Sequence, residues 1–401
     1  MILANFGTFD VKNYGDSLFP LIVEQQLGHL FSGFIHVSPV GGQAYRDVPR
    51  SISYKQFEKE SPKIDAVVIG GGNIIHGRRT PLPDYSKVQR TAYPSLWVGA
   101  AKVAARQSVP LIVNSPGIPK QPGRLIGPIM RMVFRQASYS SVRDDQSKAN
   151  LGLCNSAPVR VVPDSALLLN ESLGELKSGA GSNEVTVHLN QRYVNGNPVK
   201  IAGILDTLST ILNLKVHLLG IGVCHGDDLL AQAVSEVMQT EHRITANPDT
   251  VIEVASAIAN SQLYIGSSLH GFITASSYAV PALIVADGAQ QHKFSGLLQQ
   301  LDASDRMITS WTGVLDAARE AKLSDPLKNS DFSKNVELST VRNVLHSHWH
   351  GISAALSSHD HQRPMPIRFV PKPQNLVAGL NILEQLPSFL QTRIPGKLTN
   401  S

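Results

Sequence analysis

Residues 265–284 (IGSSLHGFITASSYAVPALI) bring two hydroxyls and an imidazole together directly after an apolar run. Ser267 and Ser268 begin the polar turn, and His270 and Gly271 lie at the start of a small-residue pattern that predicts a helix. Open α/β sheets bind ligands at the carboxyl ends of their strands, and helix N-termini favour anions. The turn therefore predicts an anion site with a titratable imidazole. The alternative is that a serine caps the helix and His270 is an ordinary first-turn residue.

Two earlier turns present similar chemistry after apolar runs. Asn13 and Asp16 flank the glycine of NYGD, which follows the first predicted strand and opens a helix. Gly71 and Gly72 belong to the glycine run that ends DAVVIGGG, where a ligand or another backbone can approach closely. For the first turn the alternative is a tight turn capped by Asp16. For the second it is a crowded crossing of a helix and a strand.

Two further strand ends carry a charged residue. Arg143 follows a strand-like segment and can fork onto a phosphate or a carboxylate, although an Arg143–Asp144 surface pair is the alternative. Asp164 follows the predicted strand at 159–162, and we include it among the candidate substrate-binding residues. The repeated order of strand and polar turn predicts a parallel sheet with all of these loops at one edge.

The same pattern restarts after a polar, Gly/Ser-rich segment, which divides the chain. We predict an N-terminal Rossmann-like domain at 1–170, a linker at 171–184 and a C-terminal Rossmann-like domain at 185–328. A substrate cleft between the two domains is expected. Residues 329–401 form a helical tail, whose apolar positions allow it to pack back on the N-terminal domain.

Composition limits the class of protein. With 401 residues and 42% hydrophobic content, the chain can build two cores. The net charge of +5 comes without a dense Lys/Arg run, so we predict no nucleic-acid partner and favour an acidic small substrate or an anionic lipid surface. The two cysteines offer neither a disulfide framework nor metal-ligand spacing. With no transmembrane run and no signal pattern, we expect a cytoplasmic protein.

The tail contains HSHWH at 346–350, which invites a zinc interpretation. This spacing leaves only His346 and His350 on one helix face, and no third ligand is nearby. We therefore predict solvated histidines and no metal site.

Five short motifs in one order and spacing carry a family resemblance. They are NYGD at 13–16, DAVVIGGG at 65–72, SSVRDDQS at 140–147, PDSA at 163–166 and SSLHGFITA at 267–275. Over about the first 300 residues the chain resembles the polysaccharide pyruvyltransferase family. That family's last motif has an Arg two positions before the His, where this chain has Ser268, so an anion contact expected there is missing.

The resemblance implies a fold like glycosyltransferase type B. It implies transfer of a pyruvyl group from phosphoenolpyruvate to two sugar hydroxyls, giving a ketal and phosphate in exopolysaccharide or cell-surface polysaccharide biosynthesis. The acceptor would be a saccharide, in some relatives a lipid-linked oligosaccharide at the inner face of the membrane, so a location peripheral to the inner membrane fits. Neither a metal nor an organic cofactor is implied, and a homo-oligomer is left open.

Such a reaction assigns roles to the candidate residues. His270 is our candidate acid/base group, because its intrinsic pKa lies near working pH. Arg143 would bind the donor's phosphate or carboxylate, with Lys293 as a second cation. The helix N-terminus after Ser267 and Ser268 could bind phosphate through its N–H groups, partly replacing the missing Arg.

The first domain would supply the sugar side of the site. Asn13 and Asp16 would line it, and the glycine edge at 70–72 would let the acceptor approach. His225, with Asp227 or the neighbouring acid, is a spare acid/base pair, for which we prefer the interpretation of a helix cap and surface group. Two other functions remain open: a nucleotide-sugar glycosyltransferase of the same architecture and a non-catalytic component of a polysaccharide assembly complex.

Overall fold

The computed structural model describes residues 1–153, 158–177, 182–190, 197–286, 291–323, 336, 338–358 and 366–385. Within these ranges the chain forms two β-sheets with helices packed around them, one sheet from each half of the sequence. All strand pairs in both sheets are parallel. The prediction of an α/β fold with two Rossmann-like units is therefore confirmed.

The N-terminal sheet has the spatial order β3-β2-β1-β4-β5-β6-β7. Its strands are β1 (Ile2–Phe6), β2 (Gly33–Ser38), β3 (Ile52–Ser53), β4 (Ala66–Ile69), β5 (Leu111–Val113), β6 (Tyr139–Val142) and β7 (Arg160–Val161). The order reverses between β1 and β4, and doubly wound sheets bind ligands at such a switch point. Strand β4 is apolar and buried throughout, as expected for a parallel strand covered on both faces.

The C-terminal sheet repeats this topology with the order β10-β9-β8-β11-β12-β13. Its strands are β8 (Glu184–His188), β9 (Lys215–Leu219), β10 (His242–Thr245), β11 (Leu263–Gly266), β12 (Ala282–Val285) and β13 (Met307–Ile308). Its switch point lies between β8 and β11, and Gly266 is in register with His188 across that pair.

Helices connect the strands of each sheet and continue into the tail. In the described ranges they are α1 (Tyr14–Leu27), α2 (Tyr54–Glu60), α3 (Ala92–Pro94), α4 (Ala100–Gln107), α5 (Ile126–Gln136), α6 (Asp145–Leu151), α7 (Leu169–Leu173), α8 (Pro198–Leu212), α9 (Asp227–Ser235), α10 (Val251–Ala259), α11 (Leu269–Ser277), α12 (His292–Gln300), α13 (Trp311–Leu323), α14 (Ser339–Ser357) and α15 (Pro373–Gln385). A π-helical turn, Ser95–Gly99, precedes α4. No helix in the described ranges is long and apolar enough to cross a membrane.

At the starts of α1 and α10, several nearby polar residues could cap the helix, and one of them does. Asn13, and not Asp16, caps α1, because its side chain accepts a hydrogen bond from the Gly15 N–H. Thr250 caps α10, and its neighbour Asp249, which is also a residue type that can cap a helix, does not. Both positions are adjacent polar residues that can cap a helix, and only the backbone path decides which of them has the extended conformation of a cap.

The two halves of the chain meet at the first turn of α1. The Tyr14 N–H donates to the Ile221 carbonyl at 2.9 Å, and the Tyr14 hydroxyl lies 2.8 Å from Thr274 Oγ1 on α11. Tyr14 is fully buried. A buried hydroxyl is costly to leave unpaired, so this pair favours one alignment of α1 against α11.

A second contact joins the halves at the start of α10. The Asp47 carboxylate, from the loop after β2, accepts hydrogen bonds from Val251 N at 2.8 Å and Ile252 N at 2.9 Å. These N–H groups have no partner inside their own helix, and a carboxylate also favours the positive end of the helix dipole. Asp47 therefore caps a helix of the other half.

Tail helix α14 packs against β6 of the N-terminal sheet, and α15 packs against α3, α5 and the π-helical turn of the same half. His348 on α14 lies between the Tyr139 hydroxyl and Asn114 Oδ1, with both distances 2.8 Å. On α15, Glu384 Oε1 accepts from Ile126 N at 3.1 Å and so caps α5. The predicted domain boundaries stay predictions. The described tail packs on the first half of the chain, and Arg342 on α14 also donates to the Ser277 carbonyl of the second half at 3.1 Å.

The prediction of solvated tail histidines is wrong for His348, which is 3% exposed. The i, i+2 spacing that separates it from His346 turns it to the opposite face of α14, towards β6. Burial lowers the pKa of His348 to about 3, with the charge of Arg160 adding to the effect. His346 stays half exposed beside Glu171. Residues 359–365 and 386–401 lie outside the described ranges.

We expect Asp47→Ala to lower the free energy of unfolding by about 1 kcal/mol, because two N–H groups of α10 lose their acceptor. Urea unfolding of the full chain measures this. Asp249→Ala is the matched control. It removes a carboxylate near the same helix end, but the hydrogen bonds of Asp249 in the described structure are made by its backbone. Equal losses in both variants would mean that charge near the dipole, and not the cap, stabilises this junction.

Stability should fall in acid because His348 is buried in its neutral form. Its folded-state pKa is depressed, so below about pH 6.5 the unfolded chain binds a proton that the folded chain does not, and stability falls as the pH drops towards the folded value. His348→Gln should remove up to roughly 1.4 kcal/mol per pH unit of this slope. Urea unfolding over a pH series, with the exposed His346→Gln as control, tests this. Parallel slopes for wild type and His348→Gln would contradict it.

Candidate functional site

A cleft of about 440 Å³ lies between the two halves, where the carboxyl ends of both sheets face it. This volume suits a small ligand or part of a larger one. The cleft is lined by basic and acidic side chains and by the backbone of several turns. The ionisable side chains that line it are Asp16, His76, Arg78, Tyr93, Arg143, Asp144, His188, His225, Asp227 and His270.

His270 and Asp164 face each other across the junction of the halves. His270 lies in the first turn of α11, and its Nε2 is 3.5 Å from Asp164 Oδ2, which belongs to the loop after β7. Asp164 is 4% exposed and also accepts a hydrogen bond from Ala166 N. Burial raises its pKa, but attraction to His270, the Ala166 N–H and Arg143 outweigh burial, so its pKa lies below the usual value.

The His270 ring is held on its other sides by α1. Its plane meets the Phe19 ring edge-on, with centroids 5.9 Å apart. Gly15 leaves just enough room for the ring, because a Cβ atom at that position would overlap His270 Nδ1. Phe19 in turn occupies the open side of Gly71, where a Cβ would overlap the Phe19 ring. Gly71 thus serves helix packing, the alternative considered for it, and it supports His270 through Phe19.

The structure places the other predicted residues of the N-terminal half in the cleft wall. Asn13, Asp16 and Gly72 line it. Gly72 has φ +84°, a conformation that favours glycine, and its open side faces Asp16. Asp164 lies behind His270 and is not part of the lining.

Arg143 reaches the same cleft from the end of β6. Its Nε lies 3.2 Å from Asp144 Oδ2, and both side chains are mostly buried, at 11% and 14% exposure. The predicted alternative of an Arg143–Asp144 pair is therefore present, but in the cleft and not on the open surface. Asp144 also caps α6, so the pair is fixed in place by a helix that starts at the cleft.

In the turn before α11, the hydroxyls of Ser267 and Ser268 both bond to backbone groups of the protein itself. Ser268 caps the helix, because its Oγ accepts from Gly271 N at 3.2 Å. Ser267 donates its hydroxyl to the Val285 carbonyl at 2.7 Å and is 1% exposed. Gly271 has no space for a side chain because Tyr264 lies against it. Both serines line the cleft.

Two predicted features lie at the limit of the described structure. Lys293 belongs to α12, but its side chain is outside the described part of the chain. Its role as a second cation stays a prediction. Cys154 is likewise outside the described residues.

A second histidine–carboxylate pair was missed in the sequence. His188, the last residue of β8, places its Nε2 2.8 Å from Asp227 Oδ2, and the two side chains are each 2% exposed. The predicted role of Asp227 as a helix cap and surface group beside His225 is wrong, because Asp227 is buried and its carboxylate accepts from Gly222 N, outside α9. The signal was present: VTVH ends an apolar strand with a polar residue, as do the other strand ends of the site.

The loop after β4 contributes groups that no motif indicated. His76 and Arg78 line the cleft, and burial lowers the pKa of His76 to about 4, with Arg78 adding to the effect. Asn73 also lines it, and its buried Oδ1 has no hydrogen-bond partner in the described ranges. These residues are local in sequence to the glycine run but reach the site only through the fold of their loop.

The cleft therefore combines two arginines, Arg78 and Arg143, with two histidine–carboxylate pairs and a helix N-terminus. This set can bind an anion, stabilise charge that develops on it and transfer protons. Among the described residues, no group of three or more His, Cys, Asp or Glu side chains is arranged to hold a metal ion.

Comparison with solved structures shows the same fold in nucleotide-sugar epimerases. A UDP-GlcNAc 2-epimerase from Neisseria meningitidis bound to UDP-GlcNAc superposes with a TM-score of 0.53 at 12% identity, covering 88% of this chain and 99% of that one. A UDP-N-acetylglucosamine 2-epimerase from Rickettsia bellii gives 0.53 at 12% identity, with 88% and 96% covered. The S. aureus MnaA–UDP structure gives 0.50 at 12% identity, with 96% and 98% covered. At this identity the likeness is one of fold.

No curated protein matches the chain by sequence. The family model described as polysaccharide pyruvyl transferase matches residues 13–288, which is more than half of the chain and runs from the cap of α1 to the segment after β12. This span contains Arg143, Asp164, His188 and His270. The chain belongs to the polysaccharide pyruvyl transferase family.

Proposed function

We propose that the protein transfers the pyruvyl group of phosphoenolpyruvate to two hydroxyls of a saccharide, forming a cyclic ketal and releasing phosphate. The observation that carries this proposal is the His270–Asp164 pair. His270 lines the cleft of a pyruvyl transferase family member, and Asp164 from the other half of the chain lies behind it. An acid held beside an anion site is what an enol phosphate donor requires.

The chemistry of the donor sets the requirements. Its phosphate and carboxylate need positive partners, its methylene carbon must gain a proton so that C2 becomes electrophilic, and each attacking hydroxyl must lose one. Two hydroxyl protons leave the acceptor. One is balanced by the new C–H bond of the methyl group and the other by the released phosphate.

Arg143 and the N-terminus of α11 are the anion-binding elements in this proposal. Arg143 is already paired with Asp144, so a doubly charged donor would share or displace that carboxylate and gain a partly desolvated arginine. The N–H groups at the start of α11 offer a phosphate site beside Ser268. Together they supply positive charge in place of the arginine that the family has at position 268.

His270 is the proposed acid for the methylene carbon. Asp164 Oδ2 lies 3.5 Å from its Nε2, and Phe19 and Gly15 fix its ring. Asn13 and Asp16 lie on the N-terminal wall, where a saccharide hydroxyl can be hydrogen-bonded.

Further parts of the proposal rest on the family alone. They are an acceptor in exopolysaccharide or cell-surface polysaccharide biosynthesis, a lipid-linked oligosaccharide as one form of it, and a location in the cytoplasm or at the inner face of the membrane. Catalysis would need no metal or organic cofactor. A homo-oligomer stays open.

We expect phosphoenolpyruvate, and not a panel of UDP-sugars, to raise the melting temperature of the full chain, because a ligand of the folded state adds stability. Arg143→Ala should weaken this binding by roughly 10- to 100-fold, through loss of a charge-assisted contact. His270→Ala should keep donor binding but lower phosphate release by about 10²- to 10⁴-fold.

The control is Arg319→Ala, because Arg319 is exposed, pairs with Asp316 and does not line the cleft. A thermal shift with UDP-sugars alone would instead favour the nucleotide-sugar glycosyltransferase. An active His270→Ala variant would remove the acid role, and full activity of the wild type would exclude the non-catalytic component.

Gly15→Ala should impair transfer although alanine favours a helix more than glycine does. The added methyl group would displace the His270 ring from Asp164, and a misplacement of about 1 Å can cost roughly 10²-fold in rate. Gly203→Ala is the matched control, because this helical glycine has open space around it and should gain up to about 1 kcal/mol in stability. Phosphate release by a folded Gly15→Ala variant at the wild-type rate would contradict the packing argument.

A further inference from the structure

The carboxylate of the His188–Asp227 pair is held by several hydrogen bonds. Asp227 Oδ2 lies 2.8 Å from His188 Nε2 and accepts from Gly222 N at 2.9 Å, while its Oδ1 accepts from Asn190 Nδ2 at 2.9 Å. Three donors therefore fix one buried carboxylate. They fix it at the start of α9, where a negative charge is also favoured by the helix dipole.

The other nitrogen of the His188 ring has no hydrogen-bond partner in the described ranges, although it is buried. Because Nε2 faces a carboxylate, which accepts only, the ring proton of neutral His188 lies on Nε2. Nδ1 then has a lone pair that no group in the described ranges uses. An unpartnered buried polar atom costs stability, and in native structures such an atom calls for an explanation such as a catalytic role or a bound group.

His188 also lies next to the turn that carries His270. It is in register with Gly266 on the neighbouring strand, and the Ser267 N–H donates to its carbonyl at 3.3 Å. Both His188 and Asp227 line the cleft. The cleft thus contains two imidazoles, each with its own buried carboxylate, on adjacent strand ends.

We propose that His188 is a second catalytic residue of the transfer, a general base that accepts a saccharide hydroxyl proton at Nδ1, with Asp227 as its positioning residue. This inference rests on the proposed function and gives the second proton of that reaction a carrier. The hydroxyl oxygen bonds to C2 as His270 gives its proton to C3, and His188 holds the hydroxyl proton beside ionised Asp227.

The remaining protons balance. When the C2–O bond to phosphate breaks, the electron pair leaves with the phosphate, and His188 returns its proton to that oxygen. The second hydroxyl then attacks C2 and loses its proton to His270, which restores the starting state of both rings. No oxidant, reductant or further reactant is required.

The first test needs no activity. In the full chain labelled with ¹⁵N-histidine, the His188 signals are assigned by their loss in His188→Gln. At a pH at which the ring is neutral, they should show the proton on Nε2. Asp227→Asn should change this pattern, because the carboxylate acceptor is removed. A proton on Nδ1 in the wild type would overturn the proposal, since Nδ1 would then have no lone pair to offer.

The second test is kinetic. His188→Gln should lower kcat for phosphate release by about 10²- to 10⁴-fold, with the Kd for phosphoenolpyruvate within about threefold of wild type. Asp227→Asn should also lower kcat by 10-fold or more. The matched control is His217→Gln, because His217 is buried in neighbouring β9, bonds Thr245 and does not line the cleft; its kcat should be unchanged.

The outcomes separate the two proposals. A wild type that releases no phosphate with any saccharide acceptor would contradict the proposed function, and the ¹⁵N result would still report the state of the ring. An active wild type together with a folded, equally active His188→Gln variant would overturn the role of His188 alone. A rise in Kd without a fall in kcat would also overturn it, since that is the mark of a binding residue.

Discussion

The site depends on the contact between α1 and α11. Tyr14 pairs with Thr274 across the two halves, and one residue later Gly15 lets the His270 ring fit against α1. Both contacts are buried, so small shifts of one helix against the other would leave polar groups unpaired or drive atoms into overlap. Because Asp164 comes from one half and His270 from the other, the pair exists only while this junction is closed.

Charge burial follows the same logic in both histidine–carboxylate pairs. A buried carboxylate is expensive unless hydrogen bonds and a cation offset the loss of water. Asp164 has Ala166 N and His270 for this purpose, and Asp227 has Asn190, Gly222 N and His188. Each carboxylate then constrains the orientation of its histidine ring. The cleft therefore contains two imidazoles, each beside a buried carboxylate. The register of β8 and β11 places them at neighbouring strand ends.

Much of the fold was predictable because its signals are local. Apolar runs of four or five residues predicted the buried strands, polar turns marked their carboxyl ends, and the polar segment before β8 marked the restart of the pattern. The errors were local as well. Neighbouring polar residues compete to cap a helix, as at α1 and α10, and an exposed histidine such as His346 looks the same in sequence as a buried one such as His348.

The sequence by itself determined the α/β class, the family and the residue types of the site, including Arg143 and His270, because these depend on periodicity and on short motifs in order. Only the tertiary structure decided which of these residues meet. It paired Asp164 with His270, moved Gly71 from a ligand contact to helix packing, and revealed His188 beside Asp227. Pairs separated by tens of residues along the chain are set by sheet order and by the docking of the two halves, and no local pattern encodes that geometry.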